Sequence, residues 1–151
     1  MKNLVLTAAC IAVLMGCSQQ KTEKTMNTQE LQLTQEWDKV VECMATAAAA
    51  VSDYMKGKIV YIAVMNNISI DCDCNGNPAK PQLRDMGILA STDPVALDQA
   101  CIDLVYRHKN TEGDNATPLI HRIEDRHGLH ILEHAAKIGL GSRQYKMVHL
   151  H

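Results

Sequence analysis

Asp85-Met86-Gly87-Ile88-Leu89-Ala90-Ser91-Thr92-Asp93-Pro94-Val95-Ala96-Leu97-Asp98 changes its structural period within one short stretch. Met86 to Ala90 is a brief apolar run of strand length and reads as a buried strand. Asp93 suits the N-cap of a helix, where its carboxylate accepts otherwise unpartnered backbone N–H groups, and Pro94 suits the first helical position, which needs no N–H donor. The helix so opened carries Leu97, Cys101, Leu104 and Val105 on one face and is expected to run to about His108. A strand feeding directly into a capped helix sets the expectation of a mixed fold.

Upstream, the sequence becomes helical from Glu36, with Trp37, Val40, Val41, Met44, Ala47, Ala48, Val51 and Met55 recurring at three- and four-residue steps until Gly57. Lys58 to Ile70, rich in Ile, Val and Tyr, reads as a strand broken near Asn66-Asn67, and Asp71 to Pro78 is turn-forming. Downstream, Lys109 to Thr117 is a polar loop and Pro118 begins a helical stretch that Gly128 interrupts. Leu129 to Ile138 resumes as helix before Gly139 and Gly141, and Tyr145 to Leu150 reads as a final edge strand. With no internal repeat and no second hydrophobic block, the expectation is one small α/β or α+β domain, a short sheet covered by helices, over residues 35–151.

The N-terminus has another character. Met1, Lys2 and Asn3 precede an apolar run from Leu4 to Met15, which is too short to span a bilayer and has the layout of an export signal. Leu14-Met15-Gly16-Cys17 resembles the lipobox cleaved by lipoprotein signal peptidase, which predicts removal of residues 1–16 and lipidation of Cys17. Acyl chains add about 0.8 kcal/mol per buried methylene, so several on one cysteine hold a small domain at a membrane surface. Residues 17–34, mostly Ser, Gln, Thr, Lys, Asn and Glu, read as a flexible tether. The expected location is therefore extracytoplasmic, lipid-anchored to a bacterial cell membrane.

Composition narrows the partners. Phe is absent, and the aromatics are Trp37 and four tyrosines, so the core must be built from aliphatic side chains and Met. Loss of the signal removes Lys2 alone among charged residues, taking the 15 basic side chains to 14 against 17 acidic. A slightly acidic chain without a basic cluster is not expected to bind nucleic acid.

Asp71-Cys72-Asp73-Cys74 is the densest set of chemistry-bearing residues. Thiolates favour zinc, copper(I) and iron-sulfur clusters, which makes Cys72 and Cys74, with Asp71 and Asp73, the candidate metal ligands. On a straight strand the two thiols would share a face that excludes both carboxylates, whereas a loop, favoured by Asn75-Gly76, removes that restriction. A redox-active thiol pair, a disulfide staple and an inert turn remain open beside metal binding. Neighbouring carboxylates raise a thiol pKa, which favours metal binding over fast nucleophilic chemistry. Cys101 reads as a core residue, and Cys43, one position off its helix stripe, stays open.

The stretch Asp71 through Pro78, the stretch Asp85 to Asp98, and Gly128-Leu129-His130 with Lys137-Ile138-Gly139-Leu140-Gly141 resemble the C-terminal part of the family called domain of unknown function 362, over about Leu33 to Leu150. The resemblance implies a cysteine loop near a metal or redox centre, since some members of this uncharacterised family are iron-sulfur proteins. It implies no known reaction. The chain departs from the family in lacking a ferredoxin-like run of cysteines and the family's N-terminal half. Such a half-domain is expected to leave apolar surface for self-association or for a protein partner. The signal has no twin-arginine pair, so export of an unfolded chain is expected, which favours zinc over an iron-sulfur cluster as the thiolate-bound metal.

His130-Ile131-Leu132-Glu133-His134 matches the H-x-x-E-H signature of inverted zinc peptidases. Only 17 residues follow it, leaving little room downstream for a third ligand, and a stripe of His130, Glu133, His134 and Lys137 beside Leu129, Leu132 and Ala136 reads as an ordinary solvated helix face. His121 and His127 read as surface residues, and Ser91 with Asp93 and Asp98 offers no identifiable general base. The leading expectation is an extracytoplasmic lipoprotein of unknown activity with a metal- or redox-related cysteine module. Its rival is a non-catalytic interaction lipoprotein with a structural cysteine loop, and the third reading is a zinc hydrolase using His130 and His134.

Overall fold

Among the described residues, two short strands and four helices make up an α+β domain. The computed structural model describes residues 28–55, 57–71 and 75–150, with side chains from residue 35 onward. The expected export signal, Cys17 and most of the expected tether lie outside the described residues, as do Cys72, Asp73 and Cys74.

Helix α1 spans Thr28–Met55. It begins upstream of Glu36, because Gln, Glu and Leu are good helix formers even where the apolar period is absent. Residues 28–34, expected as tether, are helical. Gly57, at φ 75°, supplies the left-handed turn that ends the helix. Among the described residues no helix is long and apolar enough to cross a membrane.

Strand β1 (Tyr61–Met65) pairs antiparallel with β2 (Gly87–Ser91), Tyr61 opposite Ser91 and Met65 opposite Gly87. The predicted strand over Lys58 to Ile70 is thus shorter than expected. Asn67 adopts φ 48°, which breaks the extended run where the two asparagines foretold it, and Ile68 rejoins only as an isolated bridge to Leu83.

Helix α2 (Pro94–Tyr106) starts as its sequence dictates, with the Ala96 N–H donating to Asp93 Oδ1 at 3.0 Å. It packs on one face of the two-stranded sheet. The second strand is therefore not buried as expected: a two-stranded ribbon has two faces, and α2 covers one. Ile62, Val64 and Ile88 on the other face are 65%, 56% and 70% exposed.

Helices α3 (Thr117–Asp125) and α4 (Gly128–Lys137) follow, split at His127, which takes φ 51°. Tyr145 to Leu150 forms no strand. The Tyr145 hydroxyl donates instead to Asp103 Oδ2 at 2.7 Å, fastening this segment to α2 by a side chain.

Among the described residues, two small cores hold the domain. Ala45 from α1, Val95 from α2, and Leu132 and Ala135 from α4 form one. Leu83, Val105 and Ala116, flanked by Met65, Ile68 and Met86, form the other. Asp114, buried beside the second core, accepts the Arg84 N–H at 3.0 Å and pairs with Arg84 Nε at 3.0 Å, which ties the polar loop to the segment leading into β2.

Candidate functional site

The cysteine-bearing loop leaves the domain after Ile68 and returns at Leu83. Both ends are stitched: the N–H groups of Gln82 and Leu83 donate to the Ile68 carbonyl at 3.0 and 3.3 Å, and Gln82 in turn accepts from the Asn115 N–H at 2.9 Å. The Asp71 N–H donates to Ser69 Oγ at 3.1 Å, a local turn that a serine side chain readily makes. Asp71 Oδ2 then accepts the Ala79 N–H at 2.9 Å, and Oδ1 lies 3.9 Å from Arg122 Nη2 of α3. Asn75 Oδ1 accepts the Asn77 N–H at 3.1 Å. Of the four expected ligands, Asp71 is the one among the described residues, and its carboxylate closes the loop against backbone and Arg122.

A second polar cluster lies between α1 and α4. His130 Nε2 is 2.9 Å from Glu42 Oε1, and His134 Nδ1 is 3.5 Å from the same oxygen. His127 Nδ1 is 3.1 Å from Asp38 Oδ1, and the Arg126 guanidinium stacks 4.3 Å from the Trp37 ring centroid. Glu133 faces outward to Arg143, 3.4 Å away, with His130 Nδ1 at 3.8 Å. Beside the cluster is an open cavity of about 340 Å³ lined by Asp38, His127, His130 and Glu133 among others.

This arrangement corrects the expectation of an ordinary solvated face. The i, i+4 spacing of His130 and His134 puts both imidazoles on the side of α4 that meets α1, and the partner carboxylate comes from 88 residues upstream. No periodicity reports a contact at that separation. Among the described residues no group of three His, Cys, Asp or Glu side chains is arranged to hold a metal ion. The hydrogen bond from His130 holds Glu42 below the usual carboxylate range, and the same bond raises His130 above its ordinary value.

Elsewhere the candidate residues have structural work. Asp93 Oδ2 accepts the Ser142 N–H at 2.8 Å while Oδ1 caps α2, so one carboxylate joins the start of α2 to the segment after α4. A Cβ at Gly141 would collide with that carboxylate. Burial, then the neighbouring Asp98, push the Cys101 thiol up, which keeps it protonated and unreactive. Sequence reasoning missed Glu42, Asp38 and Ser142, whose roles depend on long-range contacts.

The family model described as a domain of unknown function (DUF362) matches residues 3–103. The chain belongs to this family. No curated protein and no solved structure matches it. The DUF362 match takes in the stretches Asp71 to Pro78 and Asp85 to Asp98. It begins upstream of Leu33, within the segment expected to be an export signal, and ends before Gly128-Leu129-His130 and Lys137 to Gly141.

Proposed function

We propose that this DUF362 protein is an extracytoplasmic lipoprotein, freed of residues 1–16 and carried on a lipidated Cys17, whose chemistry resides in Cys72 and Cys74. The observation that carries the reading is the Asp71–Ala79 hydrogen bond, which fastens the chain on either side of the thiol pair to a base braced by Arg122. A ligand set on a closed loop loses less freedom on binding a metal than one on an open chain. Asp71 is already engaged, so its role is to fix the loop and tune the thiols. Cys72, Cys74 and Asp73 are left as donors, and sulfur donors suit zinc or another thiophilic metal, or a two-electron thiol–disulfide couple.

The test is metal analysis and thiol titration of protein purified without oxygen. Bound metal or reversibly oxidised thiols are expected in the wild type and absent from Cys72→Ser/Cys74→Ser. Neither metal nor titratable loop thiols in the wild type would overturn the reading. Cys17→Ser should in parallel move the protein out of the membrane fraction.

A second reading, a non-catalytic interaction lipoprotein, is favoured by the bare sheet face of Ile62, Val64 and Ile88. Neither strand carries a charged residue. A second copy would therefore meet this face without opposing like charges, which makes a homodimer the occupant that fits it.

A further inference from the structure

Helix α1 packs substantially against α4 alone among the described elements. The apolar part of that seam is thin, with Val41 and Ala45 as the buried residues α1 supplies. Small side chains of this kind contribute modest burial, which gives the polar contacts a large share in deciding whether α1 stays docked.

We propose that α1 is a releasable arm whose hold on α4 is set by the protonation of His130 against Glu42, at a seam where His134 also approaches Glu42 and His127 meets Asp38. A neutral imidazole has one N–H donor and meets the Glu42 carboxylate as dipole to ion; a protonated one offers two donors and adds the attraction of opposite charges. Glu42 Oε1 serves two imidazoles at once, 2.9 and 3.5 Å away, an arrangement that suits one anion between two cations or donors.

Other charges at the seam shape the response. Glu133 faces His130 and favours its cation, while Lys137 acts on Glu42 to keep it ionised. Arg143 draws Glu133 outward, and Arg126 stacks on Trp37. Because His130 is raised in the folded state, its contribution is fully present below its ordinary 6.5 and is lost as pH rises through the raised value. Glu42 sets the acid limit: its contribution is present above its ordinary 4.5 and is lost as pH falls through the lowered value. The arm is thus held most firmly in mildly acidic solution and loosens on the alkaline side.

Trp37, the sole tryptophan, lies at this seam and reports it directly. The experiment measures acrylamide quenching of Trp37 and amide-exchange protection factors in the full chain at about pH 6 and about pH 8.5, with α2 amides as the internal reference. The expected result is a loss of α1 protection relative to α2 of about fivefold on raising the pH, the order given by one or two partly exposed ion pairs, with quenching rising in step. In Asp38→Asn/Glu42→Gln, which removes both carboxylates that α1 contributes, the step should vanish while α2 protection persists. His130→Gln, whose amide still reaches Glu42, should shrink the step and serves as the deciding variant if the double substitution unfolds α2. Wild-type values equal at both pH values overturn the proposal, as does an undiminished step in whichever variant keeps its α2 protection. These measurements concern the α1–α4 seam and do not depend on metal or lipid, so their failure leaves the cysteine-loop reading standing.

Discussion

Asp93 shows how much one residue can fix. Its two oxygens serve different parts of the chain, one capping α2 through the Ala96 N–H and the other holding the Ser142 N–H. The second bond requires Gly141, because a Cβ there would occupy the space of the Asp93 carboxylate. Gly141→Ala should therefore destabilise the domain by about 1–3 kcal/mol, the usual cost of inserting a methyl group into filled space, seen as a fall of several degrees in Tm by calorimetry. An unchanged Tm would show that the 141–142 segment yields freely. Asp103 is a comparable node. The Tyr145 hydroxyl, then Gln99 and Arg107, hold its carboxyl below the usual range. The stability this contributes is present above the ordinary Asp value of 3.8 and is lost as pH falls through the lowered value. Tyr145→Phe removes the largest of these contacts, so its stability deficit in urea titrations should be largest near neutrality and shrink as the solution is acidified below that range.

At the scale of elements, α1 is longer than the surface it covers. At 1.5 Å per residue its 28 residues extend about 42 Å, against about 15 Å for the ten of α4. The seam buries Val41 and Ala45, while Met44 and Val51 on the predicted apolar stripe stay 50% and 57% exposed. Ala45→Leu should cost about 1–3 kcal/mol through overpacking against Val95, Leu132 and Ala135. Val51→Lys should change stability by less than about 0.5 kcal/mol, and a comparison of denaturation midpoints checks both. Equal losses would mean that the outer stripe is covered. The same contrast explains what the sequence could convey. Asp93-Pro94, Gly57 and the Asn66-Asn67 break act locally, so their readings agree with the structure, and the interruption expected at Gly128 falls one residue earlier, at His127. Which part of an apolar stripe is covered depends on the length of a partner far along the chain, and periodicity carries no such information. His130 and His134 were legible as a pair, yet their setting was not, because Glu42 lies 88 residues away.

Across the whole molecule, the lack of Phe and the single Trp leave two small aliphatic clusters in place of one large core. The first strand was legible from the Tyr, Ile and Val of Tyr61–Met65 and the second from the short apolar run within Gly87–Ser91, but composition alone cannot say how many strands share a sheet, and hence whether a face is covered. Among the described residues, two strands and one covering helix leave the outer face of Ile62, Val64 and Ile88 exposed, and neither strand has the charged or proline residues that usually guard an open edge. If a second copy covers this face, light scattering on the purified chain should give a mass that rises with concentration toward twice that of the monomer. Ile62→Thr/Ile88→Thr should shift that rise to higher concentration, because it removes apolar area from each partner at about 25 cal/mol per Å² while keeping β-branched residues that suit the strand. The Asp71–Ala79 bond lies elsewhere, so the double variant should retain whatever metal or thiol chemistry the wild type shows. Monomeric mass at every concentration in the wild type would rule the homodimer out. Loss of the loop chemistry along with the dimer would instead show that the two readings describe one assembly, with the cysteine loop completed across the sheet face.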